Sequence, residues 1–418
     1  MKTLRKEIVF SVCCGCMMMA CDKNDHPNPR KLQDPITIQL RAADLKVQQA
    51  NDAFAFELVS RVYDEEMANN KKNFMVSPFS LSMALGMTWN GADKETKEAM
   101  KNAMKFNDSS DDEVNAYFQK MMSALLKTDP STKLAIANSI WTNKSVSIKQ
   151  PFLDINKKYY AAQIESVDFS NPNTVNRINN WCAEQTNNLI KKVLRETDSD
   201  ALMYLLNALY FKGIWASQFK KSETASMPFT TFAQEEKRVD MMHQKHMFKY
   251  ASDENIETVA LPYGNNAFSM MVLLPKEGKT IKSALEKLMT PNYWSDMKNR
   301  LNTYDVKLYL PKFKTEYSKR LNFALTDMGM GVAFTSNANF SKMSDKESQI
   351  SFVDQFTYIQ TDEVGTEAAA VTVVGMELTA PPPPKSVVFK ADRPFLYLIQ
   401  ENSTGAILFM GLVHDVQS

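Results

Sequence analysis

Apolar residues Phe54, Leu58, Val59, Val62 and Tyr63 return every one to four positions, a spacing that predicts a helix over residues 51–68. Ser77-Pro78 predicts a second helix start, with serine as the N-cap and proline in the first turn. Met83, Ala84, Leu85 and Met87 continue it apolar nearly all round, the pattern of a buried helix. A third helix is predicted over residues 178–194. The pattern then changes period. Residues 205–210, 269–274 and 306–310 read as strands. The run 269–274 is continuously apolar and predicts burial on both faces, whereas Val306, Leu308 and Leu310 alternate with Lys307 and Tyr309. Residues 395–399 and 406–412 are two apolar strands around the turn Glu401-Asn402-Ser403-Thr404-Gly405, a hairpin composition. Helices early and strands late, without regular alternation, predict an α+β fold.

Composition sharpens this picture in three places. The chain has 418 residues, 44% hydrophobic, with 24 Phe, 14 Tyr and 5 Trp, enough for a large core. Length alone would allow two or three domains, but residues 50–416 contain no Pro/Gly/Ser-rich linker and no repeat, so one large domain is expected. The formal net charge is +1; without residues 1–20 it becomes 46 − 47 = −1. No asymmetry along the sequence points to nucleic acid, and Lys71-Lys72 and Lys191-Lys192 read as solvated surface. The 26 methionines read as core filling. Of five cysteines, Cys13, Cys14, Cys16 and Cys21 lie in the first 21 residues. The fifth, Cys182, sits beside Trp181 with no basic neighbour to lower its pKa, and reads as a buried structural thiol.

Lys2, Arg5 and Lys6 precede an apolar run over residues 8–20, too short to span a bilayer comfortably. It ends Met18-Met19-Ala20-Cys21, which resembles the bacterial lipobox. That resemblance implies cleavage before Cys21 and a lipid thioether on it, in a bacterial cell envelope. An ordinary signal peptide cut nearby is the alternative. Asp22-Lys23-Asn24-Asp25 and prolines 27, 29 and 35 follow without an apolar period and read as a tether. The expected layout is a leader over 1–20, a tether over 21–45 and a folded domain over 46–418.

A search for catalytic equipment returns little. The four histidines are His26, His243, His246 and His414. His243 and His246 would share one helix face, but no third ligand is near and no glutamate follows His243 as in zincins. There is no G-x-S-x-G elbow and no P-loop; Gly329-Met330-Gly331 lacks the third glycine of a dinucleotide fingerprint. Neither a metal nor a cofactor is expected, and the chain is not expected to be an enzyme.

The most informative segment is Glu363-Val364-Gly365-Thr366-Glu367-Ala368-Ala369-Ala370-Val371-Thr372-Val373-Val374. In a strand, Thr366, Ala368, Ala370 and Thr372 share one face, all small and uncharged. Such a face can enter a sheet without steric or desolvation cost, and Gly365 can hinge it. This segment resembles the proximal hinge of the serpins. Other strings fit the same family in order: Phe74-Met75-Val76-Ser77-Pro78-Phe79-Ser80, Asn207-Ala208-Leu209-Tyr210-Phe211-Lys212-Gly213-Ile214-Trp215, Leu261-Pro262-Tyr263, Leu310-Pro311-Lys312-Phe313, Arg393-Pro394-Phe395-Leu396 and Phe409-Met410-Gly411.

The resemblance implies a large central β-sheet with further sheets, about eight or nine helices and an exposed reactive loop over about 363–393. A target serine protease would attack the loop as substrate. The freed segment would then insert into the sheet and trap the acyl-enzyme. It implies that Ser77, Ser80, Asn207, Trp215 and Gln355 sit where the sheet opens, Gln355 standing where serpins usually carry histidine. Family spacing puts the reactive bond at Thr379-Ala380, with Met376, Glu377 and Leu378 as alternatives; Ala380-Pro381 is excluded because proline offers no N–H on the leaving side. No Arg or Lys lies between Glu363 and Pro384, so elastase-like proteases, and chymotrypsin- or subtilisin-like ones, are the expected targets. Trypsin is not. A non-inhibitory serpin-like binding protein and a cross-class inhibitor of papain-like cysteine proteases are the alternatives. A monomer is expected. The four prolines at 381–384 favour a stiff extended rod of no assigned use.

Overall fold

A computed structural model describes residues 33–69, 72–366 and 385–416. The chain divides into Met1–Lys31 and Leu32–Ser418, and the architecture below is that of the second unit. The described residues form helices α1 (Ala42–Asn69), α2 (Pro78–Trp89), α3 (Lys94–Ala103), α4 (Asp111–Leu125), α5 (Gln150–Tyr160), α6 (Asn173–Gln185), α7 (Ile281–Leu288), α8 (Tyr293–Asn299) and the short α9 (Asn322–Leu325). The strands are β1 (Phe74–Val76), β2 (Lys133–Asn143), β3 (Gln163–Val167), β4 (Met203–Ile214), β5 (Ala225–Thr230), β6 (Glu236–Ser252), β7 (Ile256–Tyr263), β8 (Phe268–Pro275), β9 (Asn302–Pro311), β10 (Phe313–Arg320), β11 (Asp354–Thr361), β12 (Gly365–Thr366), β13 (Ser386–Lys390), β14 (Phe395–Glu401) and β15 (Ile407–Val413).

Helix α1 begins at Ala42, nine residues before the periodicity placed it. Asp44 in its first turn accepts the Arg41 N–H at 2.8 Å and a bond from Lys120 at 2.7 Å. A carboxylate there satisfies an otherwise orphaned helix N-terminus, so residues 42–45 are helix rather than tether. Ile38, ahead of it, is buried against the core. In α2, Ser77 Oγ accepts the Ser80 N–H, and every residue but Ala84 is buried, as the pattern predicted. Helix α6 stops nine residues short of Leu194. Asn187 and Asn188 take φ of +51° and +61°, left-handed values that end a right-handed helix.

Two sheets organise the core. One runs β10-β11-β12-β4-β2-β3. The other runs β1-β15-β14-β8-β7-β6-β9-β13, with β5 added on β6. Pairing is antiparallel except for β2 with β3 and β13 with β9. Strand β8 is buried along its whole length between β7 and β14, as its continuous apolar run required, and β9 alternates as read. His243 and His246 lie in β6, not in a helix. Three residues apart in a strand, they face opposite sides, so the supposed shared face does not exist. His243 stacks on Tyr309 at 4.5 Å, and His246 meets the edge of Phe248.

Candidate functional site: a strand seat between β11 and β4

Strands β11 and β4 run in the same direction, and β12 enters between them antiparallel to both. A turn delivers it. The Asp362 carboxylate accepts the N–H groups of Val364 at 2.9 Å and Gly365 at 3.2 Å, an Asx-type turn. Thr366 then pairs with Thr361 on one side and Gly213 on the other, and Gly365 pairs with Ile214. The Trp215 N–H donates to Val364 O and the Phe219 N–H to Glu363 O, both at 2.9 Å.

At Gly365 the backbone shows a requirement for glycine of another kind than an unusual angle. Its φ is not left-handed. A Cβ there would stand 2.2 Å from Gly213 O and 2.7 Å from the Ile214 Cα. Glycine is needed because two backbones touch, not because of an unusual angle. Thr366 is buried, as its place on the small-residue face required, and its Oγ1 lies 2.7 Å from Tyr263 OH. Tyr263 stacks on Trp215 at 4.4 Å and 12°, and Trp215 Nε1 donates to Asp362 O. Burial pushes the Tyr263 hydroxyl's pKa well up, so it stays a neutral partner for Thr366. Glu363 is buried beside them. Burial opposes its charge, but its own N–H, the Thr224 hydroxyl at 2.9 Å and Lys312 at 3.4 Å outweigh that and hold its carboxyl below the usual range.

About seven residues down β4, roughly 23 Å along the strand, the second cluster closes the site. Gln355 Oε1 accepts the Ser77 N–H and its Nε2 donates to Ser77 O, each at 2.9 Å. Ser77 Oγ donates to Leu408 O at 2.7 Å. Ser80 bonds Asn207, whose Nδ2 donates to Asn138 Oδ1 at 2.6 Å. Gln355 thus joins β11 to the start of α2, while Ser80 and Asn207 join α2 to β4. Ser77, Ser80, Asn207 and Gln355 come together, and Trp215 lies with the upper cluster.

Between the two clusters, among the described residues, no backbone pairing joins β11 to β4. A cavity of about 200 Å³ lies at the lower cluster and beyond it, on the side away from β12, lined by Leu81 of α2, Leu205 and Asn207 of β4, Phe356 of β11 and Cys182 of α6. Burial pushes the Cys182 thiol up to about 12, in keeping with an inert structural residue. Sequence reading missed Tyr263, Thr224, Lys312 and Asn138 as site residues. Tyr263 and Lys312 stood in the quoted strings as landmarks; nothing local marks Thr224 or Asn138. Glu367, Ala368, Ala369, Ala370, Thr372, Met376, Glu377, Leu378, Thr379, Ala380 and Cys21 lie outside the described residues.

The profile of the family described as serpin (serine protease inhibitor) matches residues 49–416, and the chain belongs to that family. An uncharacterized serpin-like protein of Methanosarcina acetivorans is 32% identical, with 97% of this chain and 96% of the relative covered. The structure of tengpin, a thermophilic serpin in its native state, superposes with a TM-score of 0.79 at 32% identity over 92% of this chain and 97% of that one. Human thyroxine-binding globulin with its thyroxine follows at 0.78 and 29% identity, over 90% of this chain and 100% of that one. The architecture is the serpin fold, and membership carries protease inhibition as the general function, with non-inhibitory binding in some members.

Proposed function

We propose that this protein is a suicide-substrate inhibitor of serine proteases with small or apolar specificity, elastase-like first. The carrying observation is the seat: Gly365 and Thr366 already occupy the first two places of a strand between β11 and β4, and among the described residues no pairing joins those strands below. The protease serine would attack the carbonyl on the N-terminal side of the reactive bond, forming an ester and releasing a new N-terminus at about Ala380. Residues 363–379 number 17, about 55 Å extended, enough to run the length of β4. Successive residues that enter add ladder hydrogen bonds to the two flanking strands in turn, which draws the ester-bound protease away from the geometry that would hydrolyse it. Loop insertion in serpins releases stored strain in this way.

Incubation with elastase, chymotrypsin, subtilisin, trypsin and papain tests this reading. An SDS-stable adduct with elastase and not with trypsin is expected, with the released C-terminal fragment starting at Thr379 or Ala380. Efficient trapping of trypsin would refute the assigned bond. Cleavage without any adduct would favour the binding-protein reading, for which the likeness to thyroxine-binding globulin speaks.

We further propose that the mature chain is a monomer held to a bacterial envelope membrane by lipid on Cys21. Cys21→Ser should move it from the membrane fraction to the soluble one.

A further inference from the structure

The loop that would be attacked continues to Lys385, which runs directly into β13. Strand β13 pairs with β9, and β9 with β6. Their register sets Val388, Lys307 and Lys245 in one row and Ser386, Asp305 and Met247 in the next. Lys390 aligns with Tyr309 and His243, and Lys249 with Thr303. Aligned partners share a face. The intervening Phe389, Leu308, Val306, Gln244 and Phe248 are buried, so this is the outer face.

Two features of that face matter for binding. Val388 is 62% exposed and Met247 44%, large apolar side chains left in water. The face also carries Lys245, Lys249, Lys307 and Lys390, with Lys385 at its edge, on a chain whose net charge is only +1. Asp305 pairs with Lys245 and Asp392 with Lys390. Among the described residues, Lys249, Lys307 and Lys385 have no carboxylate partner.

The reach of the chain says what must cover it. From Thr379 to Lys385 is six residues, at most about 20 Å. A globular catalytic domain of about 200 residues has a radius of gyration of about 16 Å and so a width of roughly 40 Å. A protease closed on the bond at Thr379 is therefore wider than its leash and overhangs β13.

We infer that the outer face of β6, β9 and β13 is a docking surface for the body of the target protease, and that it selects proteases with an acidic surface beside the cleft. The inference rests on the inhibitor reading only in that a protease must attack the loop. The lysines steer the encounter through long-range attraction, and Met247 and Val388 supply apolar contact once the bodies meet. A sulfated polysaccharide would engage the lysines but gain nothing from the two apolar residues.

The test is the second-order rate at which elastase consumes the intact chain, a readout that counts trapping and simple hydrolysis alike. Native elastase is compared with elastase whose lysines are succinylated, each normalised to its rate on a small peptide. The succinylated enzyme should react faster, and the gain should vanish at high salt. K245E/K249E/K307E should slow it about tenfold at low salt and flatten the salt dependence. M247A/V388A should slow both enzymes about equally at any salt. All these side chains are on the outer face, and unchanged melting curves would confirm intact folding. Rates within twofold of the parent for both variants overturn the inference. So does a change confined to retention on a sulfated resin, which would assign the lysines to a polyanion. Cleavage without adduct refutes the inhibitor reading while leaving the rate comparison valid. A loop that no panel protease cuts overturns both.

Discussion

Strands β14 and β11 have similar lengths, 7 and 8 residues, and opposite fates. Every residue of β14 is buried, and the strand is paired along its length with β15 on one side and β8 on the other. Its neighbour β15 is equally buried and carries β1 on its far edge. Strand β11 has a full partner in β10, but on its other side the described pairing is a single register pair with β12. Asp354, Gln355, Phe356 and Tyr358 remain only partly buried. One sheet is finished and the other holds capacity for a strand. The difference locates where the described fold has an unpaired strand edge, and it is there that the proposed insertion would act.

The largest test of that contrast is to complete the unfinished sheet. Cutting the loop by limited proteolysis should let its N-terminal part enter between β11 and β4. About ten new ladder bonds at about 1 kcal/mol each give roughly 10 kcal/mol. At about 2 °C per kcal/mol the melting midpoint should rise by roughly 20 °C. An unchanged midpoint by calorimetry would mean that the gap is not a strand site. Second in size is Thr366→Arg. The guanidinium would be buried beside Tyr263 without a counter-charge, at a cost of about 3–5 kcal/mol. This variant should be cleaved by elastase without forming an adduct on an SDS gel, and adduct yields equal to the parent's would remove β12 from the mechanism.

Gln355→Ala sharpens the comparison from the lower cluster. It leaves the Ser77 N–H without its partner, while Ser77 O keeps the Leu81 N–H at 3.0 Å, at a cost of about 1–3 kcal/mol. The uncut protein should melt a few degrees lower, while the cut form should be affected less; equal shifts in both would show that Gln355 does not hold the gap. The smallest effect is electrostatic. The folded pKa of Glu363 lies below its ordinary 4.5, so its stabilising contribution is complete above that value and is lost as pH falls through the folded value. Glu363→Gln should therefore unfold at lower urea than the parent at pH 7, with the gap narrowing below about pH 4.5. A gap that widened in acid would reverse the assigned sign.

Much of the site was legible because its requirements are local. The small face at Thr366 and the Ser77-Pro78 helix start are statements about neighbours in sequence. The buried run of β8 and the alternation of β9 report how many faces each strand covers, and both held. What failed or was missed depends on distant contacts. The nine extra residues of α1 come from Asp44 receiving Lys120, 76 positions away. His243 and His246 were given helical geometry because a two-histidine spacing carries no information on period.

Gly365 marks the boundary between the two kinds of knowledge. The sequence alone required a permissive residue before a small, uncharged face, and from that the entering strand was readable. Only the tertiary structure decided why glycine stands there: Gly213 O lies where a Cβ would be. The outer face of β6, β9 and β13 is the same case in charge. Its lysines are scattered from residue 245 to residue 390 on a nearly neutral chain, and they become one patch only through strand register. A hydrophobic pattern records how much water each residue avoids. Which backbone then lies against it is settled by pairing between distant segments, as Gly365 pairs with Ile214, and no local pattern encodes that choice.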